Sequence, residues 1–163
     1  VCVDKPIKAS DYRTVAVSLV VRDAKAAVDF YKKVLGAVHL YTLTMPNGGV
    51  AHAEFKIGDT IIMIADENPE WGNKSPQTLG GSPVVLNVMV DDPDATVAKA
   101  GAAGGRVLVP VADQFYGYRS GRIQDPDGHL WIVSKLIEEV SPDEMQKRMD
   151  MMMAAEQSLG GGG

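Results

Sequence analysis

His52 and Glu54 are the two residues of this sequence whose types and spacing most directly suggest chemistry. They stand two positions apart in a run, 50–57, that predicts a β-strand, so an imidazole and a carboxylate would share one face of it. Such a pair can move a proton, hold a polar group of a ligand, or supply two ligands to a metal ion. The structural alternative is a pair that satisfies itself and fixes the strand register.

The turn that follows this strand indicates what lies beside the pair. Gly58-Asp59 is a two-residue connection typical of a β-hairpin. It pairs Glu54 with Met63, and directly opposed residues share a face. We therefore predict that His52, Glu54 and Met63 line one surface.

Arg119 is the corresponding candidate in the second half of the chain. Mapping Gly58-Asp59 onto Asp127-Gly128 without a gap places Arg119 on the face of Ile132, and we prefer that register. A bulged three-residue turn would instead place Arg122 there. An arginine on this face would suit a carboxylate or phosphate of a ligand. A surface arginine paired with an acidic neighbour is the alternative.

Aromatic residues and one amide complete the candidate ligand-binding set. Tyr118 is expected beside Arg119, and Asn87 lies in the preceding predicted strand. Phe115 and Tyr116, with Trp71 from an earlier loop, could flank a planar ligand by stacking. The alternative is packing in a lid or between subunits.

The elements that must position these residues occur twice. Segment 21–28 is echoed at 90–97, and the same offset of 69 positions carries Gly36 to Gly105 and Met63 to Ile132. Each copy predicts a strand, a helix and three strands. The predicted strands are 15–21, 38–44, 50–57, 60–65, 83–90, 106–111, 118–124 and 129–134, and the predicted helices are 24–35 and 93–103.

A further helix is predicted near the end of the sequence. Ser141-Pro142-Asp143-Glu144 combines an N-cap serine, an N1 proline and an N3 acid, and the helix should run to about Glu156. Its methionines could pack on this chain or on a second subunit, or form a pliable surface for other partners. Residues 1–13 and 158–163 are expected to be flexible ends.

Composition narrows the function classes. Of 163 residues, 45% are hydrophobic and 23% are charged, with a net charge of −5, which argues against nucleic-acid binding. The longest mainly apolar run, 15–21, is far shorter than the ~20 residues a membrane span needs. A single cysteine, Cys2, fits a reducing compartment. We expect a soluble, cytoplasmic protein.

The tandem βαβββ order resembles the vicinal oxygen chelate superfamily, which includes glyoxalase I, bleomycin-resistance proteins, fosfomycin-resistance enzymes and extradiol dioxygenases. The helix segment 29–36 (DFYKKVLG) and the closing hairpin 125–129 (DPDGH) carry that resemblance. Segments 52–55, 80–84, 111–117 and 136–149 are similar to its PhnB-like branch. The resemblance implies an α+β fold whose two modules, 14–66 and 83–135, form one cup-shaped domain over 14–137, followed by a helix at 138–157.

Metal-dependent members of that superfamily place one ligand on the first and one on the last strand of each module. The aligned positions here are Ala16, Met63, Val85 and Ile132. Hard and borderline divalent ions need converging N, O or S ligands, so the resemblance implies no glyoxalase-type metal site and no cofactor. A weak divalent site at His52 and Glu54 is the alternative.

These observations together predict a homodimer that binds a small, partly aromatic or anionic molecule in the cup. The predicted ligand-binding residues are His52, Glu54, Met63, Asn87, Tyr118 and Arg119. An enzyme is the first alternative: a lyase, isomerase or transferase with His52 and Glu54 as its catalytic candidates. The second alternative is an interaction protein that uses the methionine-rich helix.

Overall fold

The computed structural model describes residues 7–160 and contains two modules, each a four-stranded sheet with a helix on one side. The first module contains β1 (Val17–Val21), α1 (Ala24–Leu35), β2 (Val38–Thr44), β3 (Val50–Ile57) and β4 (Thr60–Asp66). A short helix, α2 (Pro76–Leu79), lies in the connection. The second module contains β5 (Val85–Met89), α3 (Pro93–Ala102), β6 (Arg106–Asp113), β7 (Tyr118–Gln124) and β8 (Leu130–Leu136), and is followed by α4 (Pro142–Gly160).

The strand orders confirm the α+β fold of two βαβββ modules. They are β1-β4-β3-β2 and β5-β8-β7-β6, with β1 parallel to β4 and β5 parallel to β8. The remaining neighbours are antiparallel, so each module is an open sheet with its first strand at an edge. No helix within residues 7–160 is both long and apolar enough to cross a membrane.

Helices α1 and α3 begin in the same way. The carboxylate of Asp23 accepts a hydrogen bond from the Ala26 backbone N–H, and that of Asp92 accepts one from Ala95, each at 3.0 Å. These caps satisfy backbone donors that a helix start leaves without partners. The apolar stripe of α1 then packs on one side of its sheet and forms the core there. The helix-free side of the sheet therefore faces away from the core.

A buried carboxylate of the second module, Asp125, bonds to the core of the first. Tyr31 of α1 stacks on Phe55 with 5.1 Å between ring centroids, and its hydroxyl donates to Asp125 of the second module. Trp131 Nε1 also donates to Asp125, at 3.0 Å. Trp131 is a core residue, since it is 2% exposed. His129 lies 2.9 Å from the Val20 carbonyl through its Nε2 and thereby also links the two modules.

The predicted register of the first module is confirmed and that of the second is wrong. Glu54 lies opposite Met63. In the second module Arg122, and not Arg119, lies opposite Ile132. The cause is the turn between β7 and β8, where the Asp125 N–H donates to the His129 carbonyl at 2.9 Å around three residues instead of two. One added turn residue moves every side chain of β7 to the other face.

The repeat therefore has two offsets. The β1–β4 pairing recurs in β5–β8 at 69 positions, whereas Glu54 and Arg122, which occupy equivalent places, are 68 apart. The second copy is one residue shorter than the first at the end of its helix, α3. The left-handed glycine there is Gly36 in one copy and Gly104 in the other, also 68 apart, so the predicted match of Gly36 to Gly105 is wrong by one.

Both ends differ from the expected flexible segments. Helix α4 continues to Gly160, so Ser158 and Leu159 are helical and the predicted end near Glu156 is too early. Ala9–Asp11 form one 3-10 turn, and Tyr12 is bonded to the first sheet. Residues 1–6 and 161–163 lie outside the described part, so the prediction for them stays a prediction.

Candidate functional site

The candidate site lies on the open face, defined as the side of each sheet turned away from α1 and α3. Alternation along each strand assigns its members, because Phe55, Ile62 and Ile64 are buried toward the helix while their neighbours point the other way. The open face carries Ser18, Val20, Tyr41, His52, Glu54 and Met63 in the first module. In the second it carries Val85, Asn87, Met89, Tyr118, Ser120, Arg122, Ile132 and Ser134.

Glu54 is the centre of the first module's part of this face. It is 2% exposed, although it is an acid on the helix-free side of the sheet. The Tyr12 hydroxyl lies 2.9 and 2.7 Å from its two oxygens, and the Tyr41 hydroxyl donates at 3.0 Å. His52 Nε2 lies 3.1 Å from the same Oε1 that Tyr41 contacts. The predicted His52–Glu54 pair is therefore one part of a four-residue cluster.

The two phenols of this cluster stay protonated at neutral pH. Desolvation and the hydrogen bond to Glu54 raise the pKa of Tyr12 to about 12. The pKa of Tyr41 is raised by the same two causes. Both groups therefore act as neutral donors, and within residues 7–160 no lysine or arginine bonds to Glu54. His52 is the one side chain bonded to Glu54 that could bring a positive charge.

Arg122 is the corresponding charged residue of the second module. It is half-buried on the open face, and no carboxylate within the described range pairs with its guanidinium. Arg119, the predicted candidate, points to the helix side. Its Nε and Nη2 donate to Asp94 at 2.7 Å each, and its Nη1 donates to Asp113 at 2.8 Å. These hydrogen bonds raise the pKa of Arg119. The alternative of a surface arginine with acidic partners thus describes Arg119.

Asn87 and Tyr118 lie on the open face as predicted, beside a buried pair of hydroxyls. Ser134 donates to the Asn87 side-chain oxygen at 3.1 Å. Ser120 lies 3.3 Å from the Tyr116 hydroxyl, and both serines are buried. Tyr116 contacts Phe115 and Tyr118 with ring centroids 5.1 and 5.9 Å apart. Trp71 is 64% exposed and makes no aromatic pair within residues 7–160, so it does not join this cluster.

The residues at the expected metal positions do not fit a divalent ion. Met63, Val85 and Ile132 lie on the open face, and Ala16 directly precedes β1. Across residues 7–160 no three His, Cys, Asp or Glu side chains converge as a metal site would require. Glu54 already accepts from two phenols, so a metal at His52 and Glu54 would have to displace a hydrogen-bonded donor.

A cavity of about 690 Å³ opens around the free edge of β5. Asn87 and Met89 reach it from the open face, and Leu86 and Val88 from the helix side. The end of α1, the turn Gly58–Asp59 and the start of α3 complete its wall. This volume lies in the range of small-molecule sites, so the predicted ligand residue Asn87 borders a space large enough for a ligand.

Tyr41 and Tyr12 were not among the sequence candidates, and Arg122 was there only as the alternative to Arg119. Tyr41 could have been found by extending the register to β2, where it lies opposite Glu54. Arg122 follows from the three-residue turn that was the alternative. Tyr12 has no sequence signal, because it precedes the repeat and reaches Glu54 across 42 positions.

The comparisons with known proteins agree with this architecture. The profile of the Glyoxalase/Bleomycin resistance protein/Dioxygenase superfamily matches residues 13–133. An uncharacterized protein of Mycobacterium tuberculosis is 40% identical over 134 residues, which is 80% of this chain and 79% of that protein. TioX from Micromonospora sp. ML1 is 26% identical with a TM-score of 0.59, covering 77% of this chain and 99% of its own. The PhnB protein from Bacillus cereus, at 18% identity and a TM-score of 0.60, covers 76% and 99% and shows the shared fold.

Proposed function

This chain belongs to the glyoxalase/bleomycin resistance protein/dioxygenase superfamily, and from that premise we propose that it binds a small molecule on its open face without a metal ion. The ligand is partly aromatic and carries an anionic group. The observation that carries the proposal is Arg122, a half-buried cation on the open face with no carboxylate partner within residues 7–160.

The anionic group follows from the chemistry of arginine. A guanidinium presents a planar fork of N–H donors that matches a carboxylate or phosphate in two parallel hydrogen bonds. Arg119 already has this arrangement with Asp94. Arg122 offers the same donors to a partner from outside the chain.

The aromatic part follows from the surroundings of Arg122. Ile132 lies directly opposite it on β8, and Tyr118 lies on the same face of β7. Apolar and aromatic side chains around a few fixed polar groups are typical of small-molecule sites. Ile132 also lies opposite Asn87 of β5 on the open face, and Asn87 borders the cavity at that edge.

The experiment is a thermal-shift panel on metal-stripped protein with benzoate, phenyl phosphate, related small aromatics and divalent ions. Benzoate or phenyl phosphate should raise the Tm, and Arg122→Ala should abolish that rise. Arg119→Ala is the matched control, because it removes the same side chain from the opposite face and should leave the rise intact. Equal loss in both variants, or stabilisation by Ni²⁺ that disappears in His52→Ala, would contradict the proposal.

We also propose that the protein is a homodimer. Monomers rarely expose large contiguous apolar surfaces. Here β6 exposes Val107, Leu108 and Val109, and α4 exposes four methionines within 149–153. Light scattering should give twice the monomer mass, and a monomeric mass at micromolar concentration would contradict this part.

Acid–base catalysis is a second candidate function, favoured by one contact. His52 Nε2 lies 3.1 Å from Glu54 Oε1, which is the geometry of a base held by an orienting carboxylate. A turnover that follows the titration of one histidine and disappears in His52→Ala would establish it.

A further inference from the structure

Residues 7–16, here called the strap, cover Glu54 without belonging to either sheet. Their one 3-10 turn has no buried residue, and its backbone hydrogen bonds are local, from Asp11 to Lys8 and from Tyr12 to Ala9. Within the described range, two polar side-chain contacts join the strap to the rest of the protein. They are Tyr12 with Glu54 and Arg13 with Asp59.

The second of these contacts is weak. The side chains of Arg13 and Asp59 are 58% and 77% exposed, and ion pairs this exposed contribute little to stability. Val15 is 80% exposed as well. The Tyr12 phenol is therefore the principal polar contact that holds the strap against the open face.

The other donors to Glu54 are fixed. Tyr41 belongs to β2 and His52 to β3, and both are held by the ladder of the first sheet. Of the three side chains that satisfy this buried carboxylate, Tyr12 alone comes from outside the sheets. Glu54 can exchange this donor at the cost of a short segment's contacts, whereas exchange of the others would require opening the sheet.

We infer that Tyr12 occupies, in the free protein, the place of a ligand's phenolic hydroxyl, and that such a ligand binds Glu54 by displacing the strap. This inference rests on the proposed function and specifies the ligand further. The phenol ring of Tyr12 is the evidence for the class, because it already presents an aromatic ring and an O–H donor between Tyr41 and His52. A ligand with a free phenol reproduces both features.

The test compares 4-ethylphenol with 4-ethylanisole, which has the same ring but no O–H donor. Titration calorimetry is run on the full chain of the wild type and of Tyr12→Phe, whose folding is checked by thermal unfolding. Tyr12→Phe keeps the ring but loses the competing donor, so it should bind 4-ethylphenol about tenfold more tightly, the effect of roughly one charge-assisted hydrogen bond. Its affinity for 4-ethylanisole should not change.

Tyr41→Phe is the matched control. It removes a phenol from the same carboxylate but leaves the strap in place, so 4-ethylphenol still competes with Tyr12 and gains no tenfold advantage. In the wild type at neutral pH, saturating 4-ethylphenol should also move the NMR signals of the Tyr12 ring toward those of a solvent-exposed tyrosine, because its hydroxyl no longer bonds to Glu54.

The inference is overturned if Tyr12→Phe binds 4-ethylphenol no better than the wild type, if Tyr41→Phe gains equally, or if 4-ethylphenol binds no variant. Benzoate separates these results from the proposed function. If benzoate still binds through Arg122, the proposed function stands and only the role of Tyr12 falls. If benzoate fails while the phenol effect persists, the assignment of Arg122 falls instead.

Discussion

Glu54 is an acid on the helix-free side of a sheet, and replacing it by glutamine should strongly destabilise the protein. The carboxylate is 2% exposed and receives contacts from Tyr12, Tyr41 and His52 at 2.7–3.1 Å. A hydrogen bond to a charged group contributes about 1.5–3 kcal/mol. Glutamine keeps one acceptor oxygen but carries no negative charge, so each of these contacts becomes weaker. Its neutral amide costs less to bury than an ion, which offsets part of that loss.

The expected net loss is about 2 kcal/mol of unfolding free energy, or about 4–8 °C in Tm for a protein of this size. Urea unfolding followed by circular dichroism measures it, with an unchanged slope showing that the variant unfolds as the wild type does. Asp59→Asn is the control, since its exposed carboxylate should change the Tm little. An unchanged or raised midpoint in Glu54→Gln would refute the view that these donors depend on the carboxylate.

Three further predictions concern Arg119, Tyr12 and Asp127. Arg119→Ala should lower the Tm only slightly, because its bonds to Asp94 are exposed, and a loss as large as that of Glu54→Gln in a parallel melt would contradict the exposure. The wild type should lose stability between pH 10 and about 12, because the unfolded chain releases the Tyr12 proton in this range and the folded protein retains it. Tyr12→Phe should flatten this part of a plot of Tm against pH. A variant curve that runs parallel to that of the wild type would count against the hydrogen bond from Tyr12 to Glu54. Asp127→Asn should raise the Tm at pH 7, because burial raises the pKa of this carboxyl and disfavours its ionised form. At pH 3 the carboxyl is protonated, so the substitution should not raise the Tm. A gain at both pH values would point to another cause.

The elements were largely predictable from local signals. The bounds of α1, β2, β3 and β7 agree with the predicted ranges, because capping residues, left-handed glycines and β-branched runs mark them within a few positions of their ends. The two-residue Gly58–Asp59 turn also fixed the register that brings Glu54 and Met63 together.

The site was less predictable. It depends on which face of a strand each side chain occupies, and on a contact between two residues that are far apart in the sequence. A strand can keep its predicted bounds and still present the wrong face, as β7 does for Arg119 and Arg122. Local patterns favour neither of two turn lengths here. The contact of Tyr12 with Glu54 depends on how an irregular segment folds back, and no periodicity in the sequence reports that.

The extra residue in the turn between β7 and β8 also constrains how this chain can change over time. The shorter connection between α3 and β6 reduces the spacing of equivalent residues in the two modules from 69 to 68 positions. The extra turn residue restores the spacing to 69 in β8. A deletion in that turn alone would exchange the two faces of β7, which would bring Arg119 to the open face and turn Arg122 toward α3. Insertions and deletions in the two connections are therefore coupled, and comparison of natural variants should find them gained or lost as pairs.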